Sequence, residues 1–560
     1  MLAAAAMLGA LGSVRGAMMV DLQPHGDHSI RVRIAPSGSA IVDPPAMALL
    51  FTPPQHSTPV SSGGANSLTN GNLKVDVDPA TGFVTATRLT DKKVLLEQTA
   101  LTFSVPHNSL LGTPLEGTKP NSVRTVSAFK TTAEEKIVGF GEHRTGTIER
   151  QPYSKVFAES QLYDHSQGSD ASIPWYASDA GYGFVWNLPS YGSVNVTETS
   201  IEWSSDASLN QDIWITTTST TEPPVGTSVF AELMHHYVDA VGHAAKMPTY
   251  STGFIQCKDR YRNQSQVLDV ARGYVSRGLP ISVIVIDWMH WVHQGDWAFN
   301  KECWPDVQAM VDELGTMGIT LMVTFWPFQS RESQHWTEFE SNGYLVPRLN
   351  GTLDSWDGGD QYLYDPFNPD ARKAVFQKFM EGYGKYGIKT IWIDAAEPER
   401  MDDKNVGNWR FAAGTDAEVG GAWVQQHTRM IADGMKTIGI EPDDYFILPR
   451  HAWAGTWSHS AALWSGDIVS TFDELKMQVT TAQGTMMSGP VLWTTDIGGC
   501  KRLTTLCFLD LFALGRLLTG KLSPCRPRRH SVQPGVPRPD RPLVPGKRPC
   551  SLLPCTSRRR

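Results

Sequence analysis

The sequence predicts an α/β fold: a (β/α)8 barrel of the TIM type over residues 248–500, preceded by an N-terminal antiparallel β-sandwich over 18–247. Three observations carry this. At 560 residues, 41% of them hydrophobic, the chain is too long for one ordinary domain and long enough for a large barrel with an accessory domain. Up to about residue 245 it runs in short alternating segments separated by Gly, Asn, Asp and Ser. From 250 to 500, continuous apolar runs alternate with amphipathic stretches, the pattern of a parallel sheet buried on both faces.

Residues 1–17 read as a signal peptide. The apolar run MLAAAAMLGALGSV has secretory length and small residues stand at a candidate cut after Gly16, although no basic n-region precedes it. The run is too short to cross a bilayer, and no later segment has transmembrane length. Asn195-Val-Thr, Asn263-Gln-Ser and Asn350-Gly-Thr are glycan acceptors on that route, so secretion is the expected location and the cytoplasm the alternative. Before residue 501 the cysteines are Cys257, Cys303 and Cys500, so no disulfide framework holds the body together and the redox compartment stays open.

VDLQPHGDHSIRVRI, GNLKVDVDPATGFVTATRL and GYGFVWNLPSYGSVNV supply the alternating strands of the sandwich. The pattern changes near Pro248. GFIQC precedes QSQVLDVARGYVSRG, and SVIVIDW precedes DVQAMVDELGTMG. TLMVTFW follows, ARKAVFQKFMEGYGKYG leads into KTIWID, and YFILPR, AALWSGD and PVLWTTD complete seven candidate strands. Polar residues at the strands' C-terminal ends favour a closed barrel over an open doubly wound sheet, because barrel chemistry sits at those ends.

Those ends carry Asp287, Trp326, Asp394, Arg450, Asp467 and Asp496. Any one strand-end Asp is most simply a helix cap or an ion-pair partner. Together the six make a polar cup with aromatic walls, and the 18 Trp of the chain suit both core packing and stacking on apolar sugar faces. Two carboxylates flanking one bond suit glycoside cleavage, one attacking the anomeric carbon and the other protonating the leaving oxygen. Asp394, fixed by the strand IWI, fits the nucleophile; Asp467, after the flexible Ser465-Gly466, fits the acid. Clustered acids also suit a metal, and His290 and His293 follow Asp287 closely, but neither an HExxH pattern nor a DxDxDG loop is present. The expectation is therefore no metal and no cofactor.

In DWMHWVHQGDWAFNKECWPDVQAMVDEL (287–314), IWIDAAEPE (391–399), RHAWAGTWSHSAALWSGDIVSTFDEL (450–475) and SGPVLWTTDIGG (488–499) the sequence resembles glycoside hydrolase family 31, the retaining α-glycosidases, over about residues 20–499. The resemblance implies hydrolysis of terminal α-linked xylosyl or glucosyl residues of an oligosaccharide or α-glycoside, with Asp394 as nucleophile and Asp467 as acid/base. It also implies that Asp287, Trp326, Trp392, Arg450, Trp464 and Asp496 line the sugar pocket, with Tyr261 at its rim and Asp164 reaching in from the N-terminal domain. The D-x-x-E-P form of the nucleophile segment leans toward the α-xylosidase branch. Glu397 and Glu399 are read as neighbours of the nucleophile, Trp288, Trp291 and Trp297 as divided between subsite and core, and His451 and His459 as unnecessary to a two-carboxylate mechanism. An α-transglycosylase and a non-catalytic carbohydrate-binding relative are the competing readings.

The resemblance stops where composition changes. Residues 501–560 hold 14 Lys and Arg against 2 Asp and Glu, nine prolines and four of the seven cysteines, whereas the first 500 hold 35 basic and 55 acidic residues. The family's eighth-strand Arg-x-His-Gly motif is missing; His530 is followed by Ser. The expectation is a barrel lacking its eighth strand and a tail that has lost its reading frame or is disordered. A nucleic-acid or membrane-binding tail is the rival reading, but the interleaved aromatics of a single-strand binder are missing. The sequence leaves the oligomeric state open.

Overall fold

The computed structural model describes residues 17–54, 57–109, 111–157, 170–221, 228–355, 359–396, 407–490 and 492–499. The leader, Asp164, Glu397, Glu399, and everything from Cys500 onward, His530 included, lie outside the described residues.

The N-terminal part is built on two antiparallel sheets. A six-stranded sheet orders Met19–Pro24, Ser29–Ala35, Gln211–Thr217, Tyr182–Trp186, Ala171–Ser178 and Ile137–Glu142; a nine-stranded sheet runs from Tyr153–Phe157 to Val60–Ser62. Alternation explains Leu73–Val77 and Val84–Arg88, which bury every second residue. One core joins the two sheets, with Ile30, Val32 and Phe184 from the first and Val75, Phe129 and Trp203 from the second.

The β pattern expected as far as residue 245 is interrupted by a helix, α1 (Val229–Val241), capped by Ser228. Its sequence VFAELMHHYVDAV buries Leu233, Tyr237, Ala240 and Val241 on one stripe, a period of 3.6 rather than 2. Tyr237 stacks on Trp175 of the six-stranded sheet at 4.1 Å between ring centroids. Through this helix the sheet's outer face is continuous with the core of the following domain.

Parallel pairing begins at residue 255. The strands β1 (Ile255–Gln256), β2 (Val283–Ile286), β3 (Thr320–Thr324), β4 (Thr390–Ile393) and β5 (Phe446–Pro449) form one sheet in chain order, with registers such as Val283↔Thr320 and Ile391↔Ile447. A single parallel bridge, Ile447↔Ala461, connects β5 to the next strand, β6 (Leu463–Trp464), which pairs with β7 (Trp493–Thr494). All seven strands expected from the sequence are therefore present and parallel. Each of four intervening helices starts on a side-chain cap: Asn263 for α2 (Gln264–Ser276), Asp306 for α3 (Val307–Thr316), Asn368 with Pro369 for α4 (Pro369–Gly382), and Thr471 for α6 (Phe472–Met486), which follows α5 (Trp423–Thr437). β2 is buried on both faces, Val283 and Val285 turning to the barrel interior with Met322 and Leu448, and Ile284 and Ile286 to the helices. Among the described residues no helix is long and apolar enough to cross a membrane.

Candidate active site

The C-terminal ends of the barrel strands bring the sequence-derived acids into one electrostatic neighbourhood. Asp394 directly follows β4, and Arg450, directly after β5, donates from Nη1 to its Oδ1 at 3.2 Å; their side chains are 14% and 8% exposed. A buried carboxylate needs such a partner. The next residue, Ala395, is buried and has φ +53°, a left-handed conformation that a residue with a Cβ adopts only where its surroundings impose it. The Arg450 guanidinium also lies over Trp464 at 5.7 Å, and Trp464 meets Trp392 edge-on at 5.4 Å.

Asp287 follows β2 and is buried. Burial pushes its carboxyl well above the ordinary value, and the negative charges of Asp394, Asp259 and Asp467 push the same way, against the 2.7 Å hydrogen bond donated by the Trp288 amide. That Asp394 and Asp467 both act on Asp287 places the ends of β2, β4 and β6 around one centre. Asp467 sits after Gly466, which turns at φ +68°, and Asp496 follows β7. Cys257, just past β1, is open to solvent yet hemmed in by protein; that crowding, with Asp287, Asp496 and Asp394, drives its thiol well up. It marks the same centre from a fifth strand.

Aromatic rings form one side of the mouth. Trp326, after β3, stacks on Trp288 at 5.6 Å with planes 7° apart, Trp291 meets it edge-on, and Arg260 covers the Trp288 ring at 5.1 Å. Among the described residues, the buried Nε1–H groups of Trp326 and Trp392 find no protein acceptor. Trp297 is fully buried, its Nε1 donating to the Trp326 carbonyl, and so belongs to the packing beneath the wall. Tyr261 follows β1, but its ring is buried among the residues that pack outside the strands and its hydroxyl accepts from Gln256 at 3.3 Å. Burial pushes that hydroxyl up to about 12. Tyr261 thus sits behind the rim.

The histidines considered as metal ligands are engaged elsewhere. His290 spans the Asp287 carbonyl at 2.9 Å and the Tyr383 hydroxyl at 2.6 Å, and burial pulls it down to about 4; His293 pairs with Glu332 at 3.2 Å. Among the described residues no group of three His, Cys, Asp or Glu side chains gathers as a metal site would require.

Sequence reasoning passed over a second polar group behind β5 and β7, formed by Glu142, His143, Lys155, Asp170 and His451. Glu142, His143, Lys155 and Asp170 come from N-terminal strands and their flanks and His451 from the loop after β5, far along the chain, and no local spacing announces the group. The one available signal was the pair Arg450-His451, a strand end with two polar residues where one faces the cup.

Comparison with known proteins follows the same outline. Residues 244–512 match the model of the glycosyl hydrolases family 31 TIM-barrel domain. An uncharacterized family 31 glucosidase of Pseudescherichia vulneris is 36% identical over 373 residues, covering 66% of this chain and 67% of that protein. Alpha-xylosidase A of Aspergillus niger is 29% identical over 515 residues, 85% of this chain and 68% of that protein. Among solved structures, a GH31 alpha-xylosidase from a soil metagenome, complexed with xylose, superposes with a TM-score of 0.74 at 32% identity, covering 87% of this chain and 70% of that one. The chain thus spans about two thirds of the length of these relatives.

Proposed function

The chain belongs to glycoside hydrolase family 31, glycosidases that hydrolyse α-glycosyl bonds, and on that premise we propose that it is a retaining α-xylosidase whose nucleophile is Asp394 and whose acid/base is Asp467. In the first step Asp394 attacks C1 of a terminal α-xyloside while Asp467 gives its proton to the departing glycosidic oxygen, leaving a β-linked glycosyl ester. In the second, Asp467 takes a proton from water, which attacks C1, breaks the ester and releases α-xylose. Asp287, whose ionisation is disfavoured by burial and by its acidic neighbours, is suited to donate a hydrogen bond to a sugar hydroxyl. Among the described residues the indole N–H groups of Trp326 and Trp392 have no protein acceptor and are suited to a sugar hydroxyl, and Trp464 and Asp496 complete the wall; the role of Asp164, outside the described residues, rests on the family resemblance alone.

The observation that carries the reading is the Arg450–Asp394 pair, a charged carboxylate fixed at a strand end inside a ring of acids and indoles. The choice of xylose rests on the D-x-x-E-P segment and on the α-xylosidase names of two of the relatives above. Rates on nitrophenyl α-xyloside, α-glucoside and α-galactoside, with NMR of the first-formed anomer, test it. The α-xyloside should be cleaved fastest with α-xylose appearing first; β-xylose first, or a faster α-glucoside, overturns it. Xylosyl transfer at high sugar concentration separates a transglycosylase from a hydrolase.

The reading extends to architecture. The two antiparallel sheets form the N-terminal sandwich domain, 18–247, beside a barrel domain, 248–500, whose eighth strand is not encoded in the basic tail 501–560. Support comes from the apolar surface left on α6, where Phe472, Leu475, Val479 and Met486 are exposed along one face, and from Ile497, 82% exposed. Low turnover by the 560-residue chain follows, and robust hydrolysis by the purified chain contradicts it. Residues 1–17 are assigned as a secretory leader; an unprocessed N-terminus on protein recovered from its native host removes that assignment.

A further inference from the structure

Just past β1 and Cys257, the stretch Lys258, Asp259, Arg260, Tyr261, Arg262 carries three cations and one acid, in a chain whose first 500 residues hold 35 basic against 55 acidic groups. Asp259 is not their counter-ion. Its Oδ1 instead accepts the Trp288 Nε1–H at 2.8 Å. Among the described residues, no hydrogen bond or ion pair engages the side chains of Lys258, Arg260 or Arg262. Arg260 is nonetheless held in place. Its guanidinium lies over the Trp288 ring at 5.1 Å, and that ring runs parallel to Trp326, with centroids 5.6 Å and planes 7° apart. Trp288 directly follows Asp287, and its amide donates to the Asp287 carboxylate at 2.7 Å, so the stack is fastened to the acid cup. Exposure rises along it: Asp287 is buried, Trp326, Trp288 and Arg260 are half-buried, and Lys258, Asp259 and Arg262 are exposed.

We propose that Arg260 is a specificity-determining residue that binds a carboxylate on the group attached to the sugar, so that the substrate class is an α-glycoside with an acidic aglycone. The inference rests on the α-glycosidase reading of the cup given above. A guanidinium over an indole uses its charge and its flat face, but none of its N–H groups. The fork of donors is therefore left to match the two oxygens of a carboxylate. Arg450, the cation inside the cup, is committed to Asp394, whereas Arg260 stands pre-oriented and uncommitted at the rim. Charge selects the ligand further. A neutral sugar hydroxyl would be served equally well by the strand-end acids and gains nothing from an uncompensated cationic tract. A singly charged anion does gain, because three cations less Asp259 leave the tract net positive where the rest of the body is acidic. Lys258 and Arg262 contribute to that field, and Arg260, held against the wall, makes the contact.

Calorimetric titration of the full chain tests this without requiring turnover. The probes are the meta- and para-carboxyphenyl thio-α-xylosides and their carbamoylphenyl counterparts, which differ in charge but hardly in shape and whose sulfur linkage resists cleavage. For at least one isomer the carboxylate should bind about 10-fold more tightly than the amide, the size expected of a charge-assisted pair at a half-buried site. That ratio should fall to near one in Arg260→Gln and take an intermediate value in Arg260→Lys, which keeps the charge without the fork. It should shrink when NaCl is raised from about 0.05 to 0.5 M and persist in Arg262→Gln. Equal affinities for both isomers, a ratio that survives Arg260→Gln, or an equal loss of ratio in Arg262→Gln each overturns the carboxylate contact and leaves the glycosidase reading standing. If only the corresponding thio-α-glucosides bind, the choice of xylose falls and the same ratios, measured on them, decide the role of Arg260. Failure of every thioglycoside to bind overturns the reading of the cup, and Arg260 with it.

Discussion

Replacing Arg450 with Met isolates the electrostatic part of the site. The substitution keeps an unbranched side chain beside Trp464 but removes the cation that pairs with Asp394. At 3.2 Å, and with the effective dielectric of about 20 that suits partly buried pairs, the attraction lost is about 5 kcal/mol, before the relief of desolvating the guanidinium is subtracted. Breaking a buried pair by deleting one member generally costs about 3–5 kcal/mol, because the remaining charge is left without compensation. If that deficit falls on the attacking form of the nucleophile, kcat/KM on an activated α-xyloside drops by about a hundred- to several-thousand-fold. The carboxylate also becomes easier to protonate, so the acidic limb of the rate profile moves to higher pH. Rates with 5-fluoro-α-xylosyl fluoride between pH 4 and 8, read by intact mass, give both quantities. Labelling of Arg450→Met at the parental rate with an unmoved acidic limb refutes the argument that this ion pair maintains the nucleophile.

Asp394→Ala should abolish labelling and turnover alike, whereas Asp467→Ala should spare the first step on a substrate whose leaving group needs no proton, such as α-xylosyl fluoride, and slow it on an alkyl xyloside; equal losses on both substrates contradict the assignment of the acid. Asp287 tests linkage: its folded carboxyl lies above the unfolded value, so the folded state holds an extra proton and stability declines as pH rises above the ordinary carboxylate range. Asp287→Asn should flatten that decline in urea titrations from pH 4 to 8 while weakening xylose binding, and parallel pH dependences for variant and parent argue against it. Gly382 lies where an added Cβ would come within 1.8 Å of the Trp297 carbonyl oxygen, so Gly382→Ala should lower stability by about 2 kcal/mol or more, whereas Gly315→Ala on α3, with open space around it, should be neutral or gain up to about 1 kcal/mol. Thermal melts that rank the two in the opposite order reject this account.

What the sequence made legible was periodic or terminal. Strands buried on both faces, such as VIVI and TIWI, declare themselves by β-branched runs, and the acids at their ends stand out because charge after such a run is expensive. α1 was illegible as a helix because it follows seventeen strands among the described residues, and its spacing of Leu233, Tyr237 and Ala240 spans only about two turns. Tyr261 illustrates another limit: adjacency to a strand end locates a backbone, but whether a ring turns into the cup or into the surrounding core depends on α2 residues such as Val267 and Leu268 that are distant from the motif. The Gly141–Ser488 contact joins residues 347 positions apart and belongs to the packing of the N-terminal sheet on the helix after β6, which no single-chain spacing encodes.

The lone bridge between β5 and β6 gives the barrel a seam. On one side, a five-stranded half carries Asp287 and Asp394; on the other, a two-stranded ribbon carries Asp467 and Asp496. The helix that joins the ribbon's two strands, α6, is held from the N-terminal part: the Gly141 amide donates to Ser488 at 2.8 Å, the Trp175 indole to the Met487 carbonyl at 3.2 Å, and Arg144 pairs with Glu474. Asp394 and Asp467, the carboxylates proposed as nucleophile and acid/base, thus stand on opposite sides of that seam, and the side carrying Asp467 is braced in this way by the N-terminal sheet. Ser488→Ala, a change remote from any sugar, removes one of the contacts that hold the acid/base side of the proposed site against the N-terminal sheet.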